Sequence, residues 1–178
     1  MKLLMLTGSP HPQGTTNLLA EHFVQGLGAE HQISRFDCAK MVLNPCHACS
    51  YCRKQKHNSC LQKDDMGMIY EAVAQAEAVV FVTPLYYFGM SAQLKIAIDR
   101  FYAVNAALKE KARDVYLLAA CADEEGWAMD ALKQNFEIIC HYLKWHYKGS
   151  VLAFGCPMPE VTALGEYALA ARALAAQI

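Results

Sequence analysis

The chain is poor in charge. Only 19% of its 178 residues are Asp, Glu, Lys or Arg, against the usual ~25%. Neither sign prevails. Sixteen basic and 17 acidic residues leave a net charge of -1, so there is no electrostatic footprint for nucleic acid. No apolar run approaches the roughly 18 residues of a membrane span. The opening Met1-Lys2-Leu3-Leu4-Met5-Leu6-Thr7-Gly8 has one lysine, a short apolar run and no small-residue cleavage site, so it does not read as a secretory leader. Internal repeats and low-complexity linkers are lacking too. These absences argue against nucleic-acid and membrane partners and predict a cytoplasmic chain.

What is present is apolar. Hydrophobic residues make up 54%, above the usual range, which excludes disorder. The length suits one domain, residues 1–178, burying about 70% of its unfolded surface. The apolar surplus predicts a homo-oligomer, a dimer or a dimer of dimers. Eight cysteines in a reducing compartment point to metal or redox chemistry rather than a disulfide framework.

Short apolar runs alternate with helical patterns. Strands are predicted at Lys2 to Leu6, Ile33 to Phe36, Ala78 to Val82, Asp114 to Ala120 and Lys148 to Phe154. Helices are predicted from Thr15 to about Gly28, from Asp64 or Asp65 to about Ala76, after Ser91, from Trp127 to about Lys144, and from Leu164 to Ala176. Met68, Ile69, Ala72, Val73 and Ala76 form the apolar face of the second helix. Strands apolar throughout indicate a parallel sheet covered on both faces, hence a doubly wound α/β fold. A Cys-rich insertion occupies about residues 38–62. Ligands of such folds bind beyond the carboxyl ends of the strands, which directs attention to the loops Thr7 to Asn17, Thr83 to Met90 and Cys121 to Gly126.

The first loop, Gly8-Ser9-Pro10-His11-Pro12-Gln13-Gly14-Thr15-Thr16-Asn17, offers helix N-terminal N–H groups and hydroxyls to an anion. It contains no Walker lysine, no Gly-x-Gly-x-x-Gly and no phosphatase Cys-x5-Arg, so it suits a held monophosphate better than triphosphate hydrolysis. An ordinary polar turn is the plainer reading. The second loop carries Pro84-Leu85-Tyr86-Tyr87-Phe88-Gly89. Three successive aromatics either flank a flat ring system, with Gly89 allowing close approach, or fill the core or a subunit interface.

Together, Gly8-Ser9-Pro10 with Gly14 and Thr16, then Thr83-Pro84-Leu85-Tyr86-Tyr87, Ser91-Ala92-Gln93-Leu94-Lys95 and Ile98-Asp99-Arg100 resemble the NADPH-dependent FMN reductase family of flavodoxin-like flavoproteins. The resemblance implies a five-stranded parallel sheet of order 2-1-3-4-5 and FMN as prosthetic group. It implies that Ser9, His11, Thr15, Thr16 and Asn17 surround the FMN phosphate beside Gly14. Pro84, Leu85, Tyr86, Tyr87, Phe88 and Gly89 would lie along the isoalloxazine ring. His11 stands where the family usually has Arg or Lys, and Thr15-Thr16 where it usually has Asn-Thr. In this fold the third loop, through Ala122 and Asp123, would touch the flavin's pyrimidine edge. Alternatively its acidic residues form a solvated helix N-terminus.

Cys46-x2-Cys49-x2-Cys52-x7-Cys60 supplies four thiolates at a spacing that favours a [4Fe–4S] cluster over zinc. Arg53, Lys54, Lys56 and His57 lie close by and would lower thiol pKa values. The segment from Asn44 to Met66 also resembles the iron–sulfur flavoproteins of this family. Free thiols or a labile disulfide remain the alternative. Cys38, Cys121, Cys140 and Cys156 read as small buried hydrophobes. His141 and His146 are expected on one face at the end of the fourth helix, as dipole or interface residues.

The resulting expectation is an FMN-dependent oxidoreductase that takes hydride from NAD(P)H and passes electrons to a quinone, a flavin or an iron–sulfur acceptor, or to a redox partner protein. The alternative is an iron–sulfur flavoprotein or flavodoxin-like electron carrier without small-molecule turnover. No catalytic side chain is assigned, because hydride transfer to a flavin needs stacking and distance rather than a protein acid or base.

Overall fold

The computed structural model describes residues 1–54, 59–160 and 164–178. Each apolar run becomes a strand of one sheet: β1 (Lys2–Thr7), β2 (Gln32–Asp37), β3 (Ala78–Tyr86), β4 (Gly89–Met90), β5 (Asp114–Ala120) and β6 (His146–Ala153). The parallel order is β2-β1-β3-β5-β6, which is the expected 2-1-3-4-5 once β4 is set aside. That short strand only folds back antiparallel on the end of β3, pairing Leu85 with Met90. The last strand begins two residues earlier than expected. The register between β5 and β6 shifts at Val115/Tyr116, so the polar His146-Tyr147 pair joins the sheet without alternating cleanly.

Alternation along the strands sends side chains to two cores. Leu4, Leu6, Val79, Phe81 and Leu117 pack on one face with Ile69, Val73, Leu94, Leu132 and Phe136. Leu3, Met5, Val80, Val82 and Leu118 pack on the other with Leu19, Phe23, Ala171 and Leu174. Helices α1 (Thr15–Gly26) and α7 (Leu164–Ala175) cover the second face. Helices α3 (Met66–Gln75), α4 (Ala92–Arg100) and α6 (Asp130–Leu143) cover the first, joined by the short α2 (Tyr51–Lys54) and α5 (Asn105–Glu110).

Several local expectations need correction. Helix α3 buries Met66, Ile69 and Val73, while Met68 points to solvent. Asp65 sits at its N-cap position, but the carboxylate is drawn away to accept the Val42 N–H at 2.7 Å. The Asp64 carboxylate instead accepts from Met66 N–H. Ser91 does cap α4, accepting from Leu94 N–H. The region around Trp127 starts as a 3-10 turn (Gly126–Met129) before α6. Helix α6 ends where Lys144 takes φ 59°, so His141 lies on the helix and His146 opens β6. The two histidines therefore do not share a helix face.

Arg113, just before β5, is buried. Its guanidinium donates to the carbonyls of Val73, Ala74, Leu108 and Lys111 and stands over the Trp145 ring. One side chain thus gathers the ends of α3 and α5 against the sheet. Among the described residues no helix is long and apolar enough to cross a membrane.

Candidate functional site

Four loops leave the carboxyl ends of the parallel strands and surround a cavity of about 860 Å³, a size suited to a cofactor. The loop after β1 forms one wall with Ser9, His11, Gly14, Thr15 and Thr16. Its shape is fixed internally. The His11 carbonyl accepts from Gly14 N–H at 3.0 Å and from the Asn17 amide at 2.9 Å. The Ser9 hydroxyl accepts from His11 N–H. Gly14 sits at the N-cap of α1 and provides no side-chain cap. The first N–H groups of a helix have no partner within it, so they face the cavity wall available to an anion. A Cβ on Gly14 would come within 3.1 Å of the His11 carbonyl oxygen, which keeps this cradle open.

The loop after β3 supplies Pro84, Leu85 and Tyr86, and that after β5 supplies Ala120, Cys121 and Ala122. The two-residue turn between β3 and β4 holds Tyr87 and Phe88 at φ 46° and 60°. Tyr87 projects wholly into solvent at 102% exposure. Phe88 stacks on Trp127 with centroids 5.4 Å apart. The three aromatics fill neither core, and Tyr86 alone reaches the cavity.

Of the residues singled out from sequence, the cavity gathers Ser9, His11, Gly14, Thr15, Thr16, Pro84, Leu85, Tyr86 and Ala122. Asn17, Tyr87, Phe88, Gly89 and Asp123 stand outside its lining. Asn17 is buried; its amide oxygen accepts from Arg35 at 2.9 Å, which ties β2 to the start of α1. Asp123 accepts from Glu125 N–H and its carbonyl accepts from Gly155 N–H, so it builds the turn behind Ala122.

Sequence reasoning missed the fourth wall, Cys156-Pro157-Met158-Pro159. The strand-end rule applies to the loop after β6 as much as to the other three. The Thr15 hydroxyl donates to the Cys156 carbonyl at 3.2 Å, joining this wall to α1. Burial pushes the thiols of Cys121 and Cys156 up. Each donates to a nearby carbonyl, of Asp123 and Phe154 respectively.

A second cavity, of about 240 Å³, is bordered by Cys46, Cys49, Cys52 and Cys60 together with Tyr51, Tyr70, Arg100 and Tyr102. Left-handed backbone at Ala48 (φ 53°) and Ser50 (φ 57°) bends the chain on either side of Cys49, and α2 carries Cys52. Lys56 and His57 lie outside the described residues; Arg53 borders the cavity and Lys54 is exposed. Among the described residues, no three His, Cys, Asp or Glu side chains converge tightly enough to hold a single metal ion. Thiolates sharing one zinc stand about 3.8 Å apart, from Zn–S bonds of about 2.3 Å. A cubane cluster takes each thiolate on a separate corner iron, so it is served by sulfurs spread around a cavity.

The sheet order and the large cavity at the strand ends define a flavodoxin-like fold. An FMN-dependent NADH-azoreductase of Bacillus anthracis, solved in complex with FMN, has this fold: TM-score 0.74, 15% identity, 99% of each chain covered. The model of the NADPH-dependent FMN reductase family matches residues 1–155, and the chain belongs to that family. A Bacillus subtilis protein named as an NAD(P)H-dependent FMN-containing oxidoreductase is 30% identical, over 87% of this chain and 86% of its own length. A Methanocaldococcus jannaschii iron-sulfur flavoprotein is 29% identical, over 78% of this chain and 72% of its own. The protein is an NAD(P)H-dependent FMN oxidoreductase.

Proposed function

We propose that this oxidoreductase joins two redox centres, FMN in the large cavity and a [4Fe–4S] cluster on Cys46, Cys49, Cys52 and Cys60. The observation that carries the reading is the disposition of the cysteines, all four of which border one cavity separate from the large one. FMN, when bound, accepts a hydride from NAD(P)H and releases its electrons singly or in pairs. The residues of the chain hold and orient it. The α1 N-terminus with Ser9, His11, Thr15 and Thr16 binds the phosphate. Pro84, Leu85 and Tyr86 lie along the ring, and the Ala122 backbone meets its polar edge. Cys156 and Met158 close the far side against water.

A cluster held by the four cysteines would supply a second electron site on the way to a partner protein, and the open face of the large cavity would admit a small quinone or flavin. The exposed Tyr86-Tyr87-Phe88 tip and Trp127 form the contact of a homodimer, tested by sedimentation of Tyr87→Ser against the parent chain. The test of the whole reading is protein purified without oxygen, with FMN, iron and acid-labile sulfide counted per chain. One FMN with about four irons supports the two-centre reading. FMN without iron reduces the protein to a plain FMN reductase whose cysteines are thiols. Absence of FMN, even after its addition, overturns the large-cavity assignment.

A further inference from the structure

Arg100 ends α4, where the helix C-terminus favours a cation. Its side chain is only 1% exposed. One nitrogen, Nη1, is accounted for: it donates to the Asn44 carbonyl and to the equally covered Asp64 carboxylate. The other two, Nε and Nη2, are buried and have no hydrogen-bond partner among the described residues. Arg100 also borders the cysteine cavity. Buried donors without acceptors are rare and call for a ligand or an ordered water. Every other N–H donor of a buried arginine in this chain illustrates the rule, since Arg113 spreads its guanidinium over four carbonyls.

The acceptors that the cavity wall offers are sulfurs. A cluster on four thiolates is anionic, and the Asp64 carboxylate already balances the charge of Arg100. What Arg100 brings to the cavity is therefore a pair of directed N–H groups rather than a surplus cation. Hydrogen bonds to cluster sulfurs stabilise the more negative, reduced state, and they are one of the protein's main controls over reduction potential.

We propose that Arg100 is the positioning residue of the cysteine cavity, its Nε–H and Nη2–H donating to sulfur of the cluster held by Cys46, Cys49, Cys52 and Cys60 and raising that cluster's reduction potential. This rests on the two-centre reading above. It adds a specific function for a side chain that is neither a metal ligand nor a flavin contact. Lysine at this position keeps a cation facing Asp64 but lacks the forked donors. Ile98 offers a control, because it packs into the core from the same helix and does not border the cysteine cavity.

The experiment is a redox titration of anaerobically purified parent, Arg100→Lys and Ile98→Val proteins, following the cluster by electron paramagnetic resonance. Iron, sulfide and FMN are counted on each sample. Expected is full FMN in all three, and at a fixed solution potential about tenfold less reduced cluster in Arg100→Lys, the scale of one lost charge-assisted hydrogen bond. Ile98→Val should match the parent. Loss of iron from Arg100→Lys alone, with FMN retained, supports the same role. Equal potentials in parent and Arg100→Lys with full iron overturn the role of Arg100 and leave the cluster standing. Equal effects of both substitutions overturn it too, since the arginine would then act only as scaffold. Absence of iron from the parent protein overturns the two-centre reading and this inference with it.

Discussion

The Ser91 hydroxyl donates to the Gly8 carbonyl at 2.7 Å, and a Cβ on Gly8 would fall 2.3 Å from that same oxygen. The loops after β1 and β3 are thus locked at one close approach, which only glycine permits. Gly8 N–H completes the lock by donating to Val82, and Ser91 N–H by donating to Thr83 Oγ1.

Gly8→Ala should therefore separate two walls of the large cavity, the proposed FMN site. We expect a stability loss of about 1–3 kcal/mol from overpacking and FMN affinity at least about tenfold weaker. Fluorescence titration with FMN and urea unfolding of the apoprotein check the two effects. Ser91→Ala, which removes the cap and the tie but relieves no clash, should cost about 1 kcal/mol. Its effect on FMN binding should be smaller.

Arg113→Lys should destabilise the fold more than its conservative chemistry suggests. Lysine has no planar fork to serve four carbonyls at once. Several buried acceptors would lose their donor at about 1–3 kcal/mol each where unsatisfied. The midpoint of urea denaturation is the measurement; a midpoint unchanged from the parent would contradict the structural assignment.

Acid sensitivity follows from Asp64. Its burial raises the carboxyl pKa, but hydrogen bonds from Arg100 and from the Asn44 and Met66 backbone more than offset this and hold it below the usual range. A depressed folded pKa gives stability that is present above the unfolded value of about 3.9. That stability disappears as pH falls through the lower folded value. Asp64→Asn should flatten this acid limb in pH-dependent unfolding. It should also lower stability at neutral pH by about 3 kcal/mol, because Arg100 loses its counter-charge.

The cysteines should divide sharply towards alkylating reagents once iron is removed. Burial pushes the Cys38 and Cys140 thiols up to about 12. At pH 8 only about one molecule in ten thousand then carries the reactive thiolate at either position. Cys46 and Cys49 are exposed. Mass spectrometry after brief iodoacetamide treatment should find label at Cys46 and Cys49 and none at Cys38 or Cys140 until denaturant is added.

The sheet was legible because its strands are continuous apolar runs. Ala78-Val79-Val80-Phe81-Val82 reads as buried under any register. Helix α1 and the loop before it were legible because Gly14, Thr15 and Thr16 stand at a strand-to-helix junction. The wall formed by Cys156, Pro157, Met158 and Pro159 was not: it follows the predicted strand Lys148 to Phe154 and so met the strand-end rule, but its run carries no charged or hydroxyl side chain that points to a ligand. Asn17 looked like a ligand contact, yet its carboxamide is consumed in holding His11, Pro12 and Arg35. Arg100 appeared only as part of a motif. That it borders the cysteine cavity with two unpartnered buried nitrogens depends on packing between Asn44, Asp64 and α4, segments that are far apart along the chain.

The turn at Tyr87 and Phe88 bears on how this protein should be redesigned. Both residues occupy the left-handed region, which costs an L-residue about 1–2 kcal/mol, and a two-residue hairpin of this type favours Asn-Gly. Replacing Tyr87-Phe88 with Asn-Gly should raise stability by about 1 kcal/mol once the lost Phe88–Trp127 stacking is counted, as read by thermal melting. Selection for heat resistance alone would thus tend to erase two exposed rings that follow directly on Tyr86, the aromatic that lines the large cavity. A thermostable variant of this oxidoreductase should be chosen with its electron acceptor present in the screen.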